Sequence, residues 1–290
     1  MDTESSGRTC DVGGRSLHYS EYGDSTGAPV LFFHGTPGCR LLGELLDTGA
    51  SDANVRLLVP ERPGIGRSDP MPDRTLLDWT DDVAVMLDAL SLGRVGIVGY
   101  SGGGPHALAC ASDSEVADRL TGVGLLAGVA PPSAPQDDVL PTNRVLSAMS
   151  RSVPWLVRPV FRLQTWLTRH ASPSFVTQFY ADRPVGTGPD EIDPAVAELV
   201  YRDFLEAFDG GVDGVVRELA LLAEQWPFDV ETVDIPVKGW YGGNDVNVPV
   251  AQGEFLTARL PDSELTVAPE ADHLSVLTEF GPDALGEVAP

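Results

Sequence analysis

The tract Val95-Gly96-Ile97-Val98-Gly99-Tyr100-Ser101-Gly102-Gly103-Gly104 constrains the fold of this chain more than any other stretch. A short apolar run enters a glycine-flanked serine, and His106-Ala107-Leu108-Ala109-Cys110 continues it as a small-residue helix. The turn between such a strand and helix is so tight that only glycine fits where the backbones crowd, at Gly99 and Gly103, and the serine oxygen is left exposed at the end of the sheet. Gly102 then lies at the helix N-terminus, where unsatisfied N–H groups face a developing negative charge. Ser101 is therefore a candidate nucleophile and the Gly102 N–H a candidate anion donor.

A second donor is expected upstream. Pro29-Val30-Leu31-Phe32-Phe33 reads as a strand covered on both faces, and it breaks into His34-Gly35-Thr36-Pro37-Gly38. With Gly35 and Gly38 on either side, this loop can turn the Thr36 N–H back over the serine. A serine nucleophile also needs a base and a group to orient it. The histidines are His18, His34, His106, His170 and His273. His18 lies in a strand-like stretch, His34 in the loop just described, His170 in a basic region, and His106 reads as a packing or helix-surface residue. His273 follows the short strand Glu264-Leu265-Thr266-Val267 near the C-terminus, where the last loop of a parallel sheet brings a base over the serine. The acid is placed at Asp245, in the loop Gly242 to Pro249 beyond the apolar strand Val237 to Tyr241. Glu270 and Asp272 are rivals, read as solvated loop charges because they stand too close to His273 in sequence to hold its ring from behind.

The order Ser101, Asp245, His273 is that of the α/β-hydrolase triad. The motifs at 34–38, 61–69 (Glu-Arg-Pro-Gly-Ile-Gly-Arg-Ser-Asp), 99–103, 242–249 and 271–273 together resemble the α/β-hydrolase superfamily, in particular its cap-bearing, esterase-like branch. The resemblance implies an α/β fold, a mostly parallel central sheet with helices on both faces. It also implies a Ser-His-Asp engine on a small-molecule substrate, an oxyanion hole from Thr36 and Gly102, and no cofactor or metal. The 61–69 stretch is expected to pack against the 34–38 loop in a structural role.

The layout agrees. Strands and helices alternate up to Leu126, with one helix expected over Thr75 to Leu92 and Asp81, Asp82 and Asp88 on its outer face. Between Pro131 and Trp226 the alternation gives way to proline-broken helices, so residues 1–131 and 227–290 are expected to form the core and 132–226 an inserted helical cap. Ten of the chain's 21 aromatic residues fall in that insertion, which favours an apolar pocket beneath it. Arg151, Arg158, Arg162 and Arg169 form a possible basic stripe for an anionic substrate or membrane surface, weighed against the simpler expectation that they pair with carboxylates of the core.

Ser101 argues against epoxide hydrolases and haloalkane dehalogenases, which use an aspartate nucleophile. A hydroxynitrile lyase wants a cation beside the serine, and Lys238 lies elsewhere. A proline iminopeptidase-like enzyme reading a substrate amine through Glu198, Asp203 or Glu206 remains an alternative. So do a carbon–carbon hydrolase, a cofactor-free haloperoxidase and a weakly catalytic binding protein.

The 290 residues carry a net charge of −24, and Lys238 is the one lysine among 19 basic residues. That balance excludes nucleic acid as a partner. The longest apolar runs fall short of the ~18 residues that span a bilayer, so no stable membrane insertion is expected. The first eight residues are polar with no apolar stretch of a signal peptide, and Cys10, Cys39 and Cys110 are too scattered for a disulfide framework; both point to a reducing, cytoplasmic compartment. Self-repulsion among so many carboxylates is screened once the Debye length falls to about 3 Å near 1 M salt. The pattern resembles proteins adapted to a salt-rich cytoplasm, although arginine over lysine also follows from GC-rich codon usage. Salt adaptation predicts a melting temperature that rises from low to multimolar KCl, and a melting temperature independent of KCl rules it out.

Overall fold

A computed structural model describes residues 7–290 except Asp137, Asp182, Thr187, Pro189 and Asp190. Its eight strands are β1 (Arg8–Asp11), β2 (Ser16–Gly23), β3 (Ala28–Phe33), β4 (Val55–Pro60), β5 (Val95–Tyr100), β6 (Leu120–Leu126), β7 (Val237–Gly242) and β8 (Ser263–Ala268). They form one sheet in the order β1-β2-β4-β3-β5-β6-β7-β8. From β4 to β8 every pairing is parallel, whereas β2 joins β4, and β1 joins β2, antiparallel.

The continuous apolar runs of β3 and β5 follow from helices on both faces. Because successive side chains alternate across a strand, Leu31, Phe33, Val95 and Ile97 enter one core layer and Val30, Phe32, Val98 and Tyr100 the other. The first layer is closed by α2 (Asp78–Ala89) and α3 (Gly104–Ser112), the second by α1 (Asp47–Asp52) and the C-terminal α11 (His273–Val288). Short α4 (Ser114–Ala117) leads into β6, and α10 (Val250–Thr257) joins β7 to β8.

Helix α2 is shorter than the Thr75 to Leu92 segment read from the sequence. The Asp78 carboxylate accepts from the Thr75 N–H and hydroxyl at 2.6 Å, which holds 75–77 as a turn, and the far end closes through Ser91 at φ +53°. Asp82, expected on the outer face, is buried and paired with Arg15 of the N-terminal hairpin, because β1 and β2 cover that side of the helix, which its own periodicity does not report.

Between β6 and β7 run α5 (Pro141–Ser152), α6 (Pro154–Thr168), α7 (Pro173–Thr177), α8 (Pro194–Glu206) and α9 (Asp213–Ala223). Proline stands at the start of α5, α6, α7 and α8, where its missing N–H costs nothing. Their buried side chains, among them Val157, Phe161, Phe204, Phe208 and Val215, form a third cluster that takes in Cys39, Leu41, Ile65 and Leu274. Trp226 belongs instead to the first core layer, stacked near Phe228. The arginines do not pair with the core as expected: Arg158 binds Asp213 of α9, and Arg151 donates to the carbonyl of Ala223.

Trp79 is fully buried, with Phe33 edge-on at 5.3 Å and His106 at 6.3 Å. Its indole N–H has no hydrogen-bond partner among the described residues. Trp79→Ala should lower the unfolding free energy by about 3–5 kcal/mol in urea denaturation. Trp79→Phe should cost much less, because it keeps a ring in place and deletes the unpaired donor.

Candidate active site

Ser101 follows directly on β5 and takes φ +52°, a conformation uncommon for a residue with a side chain. Residues 101–103 make a single 3-10 turn before α3 begins. The packing around that turn accounts for its glycines. A Cβ on Gly103 would lie 2.1 Å from the Phe33 carbonyl oxygen, and one on Gly99 2.7 Å from the Gly103 carbonyl oxygen, both immovable backbone. A Cβ on Gly102 would lie 2.5 Å from Thr36 Oγ1 and 3.4 Å from the Thr36 nitrogen, so the two expected donors are neighbours.

His273 is the first residue of α11 rather than a loop residue, and its Nδ1 donates to Asp245 Oδ2 at 2.6 Å. The other carboxylate oxygen of Asp245 accepts from the N–H groups of Asn247 (2.8 Å) and Val248 (2.9 Å). Both oxygens are thereby committed, and bonding at Nδ1 leaves Nε2 as the free ring nitrogen. The Tyr100 and Tyr180 rings lie 4.9 and 6.5 Å from the imidazole. Glu270 is exposed, as expected. Asp272 is not solvated: it caps α11 by accepting from Ser275 N–H at 2.8 Å, and Arg183 binds it at 3.0 Å.

Ser101, Thr36 and His273 open onto one cavity of about 640 Å³. Phe161, Phe179, Tyr180, Phe204, Leu219 and Leu222 supply much of its apolar wall, so four of the ten aromatic residues noted in the sequence face it. Trp155, Trp166 and Phe175 are exposed instead. No carboxylate lines the cavity among the described residues; its charged side chains are Arg144 and Arg151. The acids considered as amine readers lie elsewhere. Glu198 is exposed, Glu206 binds Arg40 and Arg67, and Asp203 is buried against the backbone after the 34–38 loop.

A group of buried charges behind Thr36 was not anticipated. Glu218 of α9 binds Arg62 at 2.7 Å, pairs with Arg74, and accepts from Thr36 Oγ1 at 3.1 Å. Arg62, from the 61–69 stretch, donates to the carbonyls of His34 (2.8 Å) and Gly35 (3.1 Å) and to Thr36 Oγ1 (3.1 Å). Burial alone would raise the Glu218 pKa, yet the two guanidinium groups hold it well below the carboxylate range. His106 is fully buried with Nε2 3.6 Å from Glu218, and burial depresses its pKa to about 3, so it stays neutral. His34 is also buried, its Nδ1 bonded to the Gly35 carbonyl at 2.8 Å and its pKa pushed well down by burial and by Arg62. The sequence did carry one sign of this group: Glu218 stands on the apolar stripe of α9 with Val215, Leu219 and Leu222.

Three further contacts tie Phe179 and Tyr180 to the loops. The Tyr180 hydroxyl donates to the Pro37 carbonyl (2.8 Å), the Tyr180 carbonyl accepts from Leu274 N–H (3.1 Å), and the Phe179 carbonyl accepts from Asn247 Nδ2 (3.1 Å).

A sheet of this topology with a strained serine after β5 and an aspartate-bonded histidine after β8 defines an α/β hydrolase. A family model described as alpha/beta hydrolase fold matches residues 28–280, and the chain belongs to that family. It is 26% identical over 255 residues to a non-heme chloroperoxidase of Streptomyces lividans, covering 85% of each chain. In fold it is similar to a bromoperoxidase from Bacillus anthracis (TM-score 0.72, 20% identity, 97% of both chains). It is likewise similar to an enol-lactonase from Burkholderia xenovorans LB400 (TM-score 0.67, 20% identity, 97% of both chains).

Asp203 gives this region a pH dependence. Burial pushes its pKa up to about 7, against the donors Cys39 Sγ (3.1 Å), Cys39 N–H (2.9 Å) and Leu42 N–H (3.0 Å) that pull it down. The unfolded chain releases this proton near pH 3.9 and the native chain near 7, so the contribution to stability falls as pH rises between those values. Asp203→Asn should remove that part of the slope when unfolding free energies are compared at pH 5 and pH 8. Equal slopes in the two proteins would contradict it.

Proposed function

We propose that the chain is a serine hydrolase that cleaves carboxylic esters of small or medium apolar substrates through an acyl-enzyme. Ser101 attacks the ester carbonyl while His273 Nε2 takes its proton, and Asp245 orients the imidazole and stabilises its charged form. The N–H groups of Thr36 and Gly102 receive the oxyanion, and His273 returns the proton to the departing alcohol. Water, activated by the same histidine, then releases the acid from Ser101. Residues 132–226 act as the cap that closes the pocket. What carries this reading is the 2.6 Å His273–Asp245 bond at the same cavity as a serine held at φ +52°.

The cavity wall favours an ester over a peptide amine, because an ammonium group would meet Arg144 and Arg151 there and no carboxylate among the described residues. The haloperoxidase names among the relatives favour one second reading: hydrogen peroxide in place of water attacks the acyl-enzyme, giving a peracid that oxidises halide.

The test is hydrolysis of p-nitrophenyl esters from acetate to decanoate in multimolar KCl, with prolyl-anilide beside them. Ser101→Ala should lower kcat by at least about 10⁴-fold while leaving the melting temperature near that of the wild type. Ester turnover that survives in Ser101→Ala, or cleavage of the anilide alone, defeats the esterase reading. Bromide oxidation that needs both peroxide and an acyl donor supports the second one.

A further inference from the structure

Helix α6 is apolar on two sides. Val157, Phe161, Thr165 and Thr168 face inward, at the spacings of four and three that define one helix face. The opposite side is equally apolar and open to solvent: Trp155 is 67% exposed, Trp166 59%, Leu163 58%, Val160 53%, and Leu156 and Leu167 about half. Thirteen large apolar side chains are exposed among the described residues, and ten of them lie between Leu140 and Phe179. A soluble monomer seldom leaves so much apolar surface contiguous without a use for it.

The charge of this region is inverted relative to the rest of the chain. Between Asp138 and Asp182 there is no Asp or Glu, although the chain has 43 of them, while Arg144, Arg151, Arg158, Arg162 and Arg169 all fall there. Arg158, Arg162 and Arg169, four and seven residues apart, run in one row along the edge of the outward apolar face, and Arg162 and Arg169 are exposed.

We propose that α6 is a docking face for an anionic lipid bilayer, with its outward apolar side in the interface and the arginine row at the headgroups. An apolar face with exposed tryptophans beside a row of arginines is what an interfacial helix requires. A second copy of the chain fits the face poorly. Two α6 helices packed on each other would bring arginine rows together. Outside residues 140–179, the exposed large apolar side chains are only Val85, Val246 and Val267 among the described residues, too few to form a complementary patch. Docking does not require spanning, and no helix among the described residues is long and apolar enough to cross a membrane. Phe161 and Gln164 of the same helix line the cavity, so a docked chain holds that cavity close to the lipid.

The test is co-flotation of the full chain with phosphatidylglycerol vesicles and with phosphatidylcholine vesicles, at the lowest KCl concentration that keeps it folded by circular dichroism. Binding to the anionic vesicles, weaker to the neutral ones, is expected. The double variant Leu163→Asp/Trp166→Asp should abolish it while keeping wild-type turnover of a soluble ester, and this loss is not screened by salt. Arg162→Gln/Arg169→Gln should weaken binding by about fivefold per arginine at low ionic strength. Failure of the folded chain to float with anionic vesicles, or unchanged flotation of the apolar double variant, overturns the proposal. So does self-association in sedimentation that the apolar variant abolishes in the absence of vesicle binding, which would make a second copy the occupant.

Discussion

The buried pairing of Glu218 with Arg62 and Arg74 is the constraint on which the rest of the site depends. Three charges stripped of water are costly, and leaving any one without its partner costs several kcal/mol more than the pair gains. Arg62 and Glu218 are each committed more than once, whereas Arg74 is held through a single guanidinium nitrogen on Glu218. Arg62 holds the carbonyls of His34 and Gly35, which fixes the backbone that aims the Thr36 N–H, while Glu218 anchors the Thr36 side chain from a helix of the insertion. The loop from β3, the exit of β4 and helix α9 are therefore locked to one another by a single cluster of charge. Neutral His106 and His34 beside it add polar contact without adding positive charge.

Charge is distributed very unevenly over the molecule. The core carries most of the carboxylates, and α8 and α9 carry others, whereas the α5 to α7 segment is acid-free and arginine-bearing, and the cavity takes its charged wall from Arg144 and Arg151. An acidic protein thus presents a neutral-to-basic environment to whatever occupies its cavity. Long-range repulsion among the surface carboxylates and the chemistry proposed at Ser101 are kept apart.

The sheet and the residues proposed for catalysis were legible because local geometry dictates their residue types. Only glycine fits at Gly103, where a Cβ would strike the Phe33 carbonyl, and only a run such as Val30 to Phe33 suits a strand buried on both faces. Asp245 was found because it follows the apolar strand Val237 to Tyr241, and His273 because it follows the last short strand, Glu264 to Val267, in the sheet's chain order. Glu218 and Arg62 were not paired in advance, since 156 residues separate them and nothing local links a helix of the insertion to a turn after β4. Asp82 was misplaced for the same reason: helical periodicity reports one buried face, and the N-terminal hairpin buries part of another. Asp272 escaped because a side chain that caps a helix looks, in sequence, like any loop carboxylate.

The contacts of Phe179, Tyr180 and Arg183 have a consequence for traffic through the cavity. These residues are fastened to the Pro37 carbonyl, to Asn247, to Leu274 and to Asp272, which means to the three segments that carry Thr36, Asp245 and His273. Swinging these residues aside would break those bonds together, at about 0.5–1.5 kcal/mol for each neutral hydrogen bond, and would release the histidine's surroundings at the moment a substrate arrived. On the other wall α5 is fastened as well, Asn143 Nδ2 donating to Asn247 Oδ1 at 2.9 Å, but α6, whose Phe161 and Gln164 meet the cavity, makes no hydrogen bond to these three segments among the described residues. Helix α6 is the part of the wall that can yield while the loops hold still, so the doorway and the workbench of this protein are built from different segments of the chain.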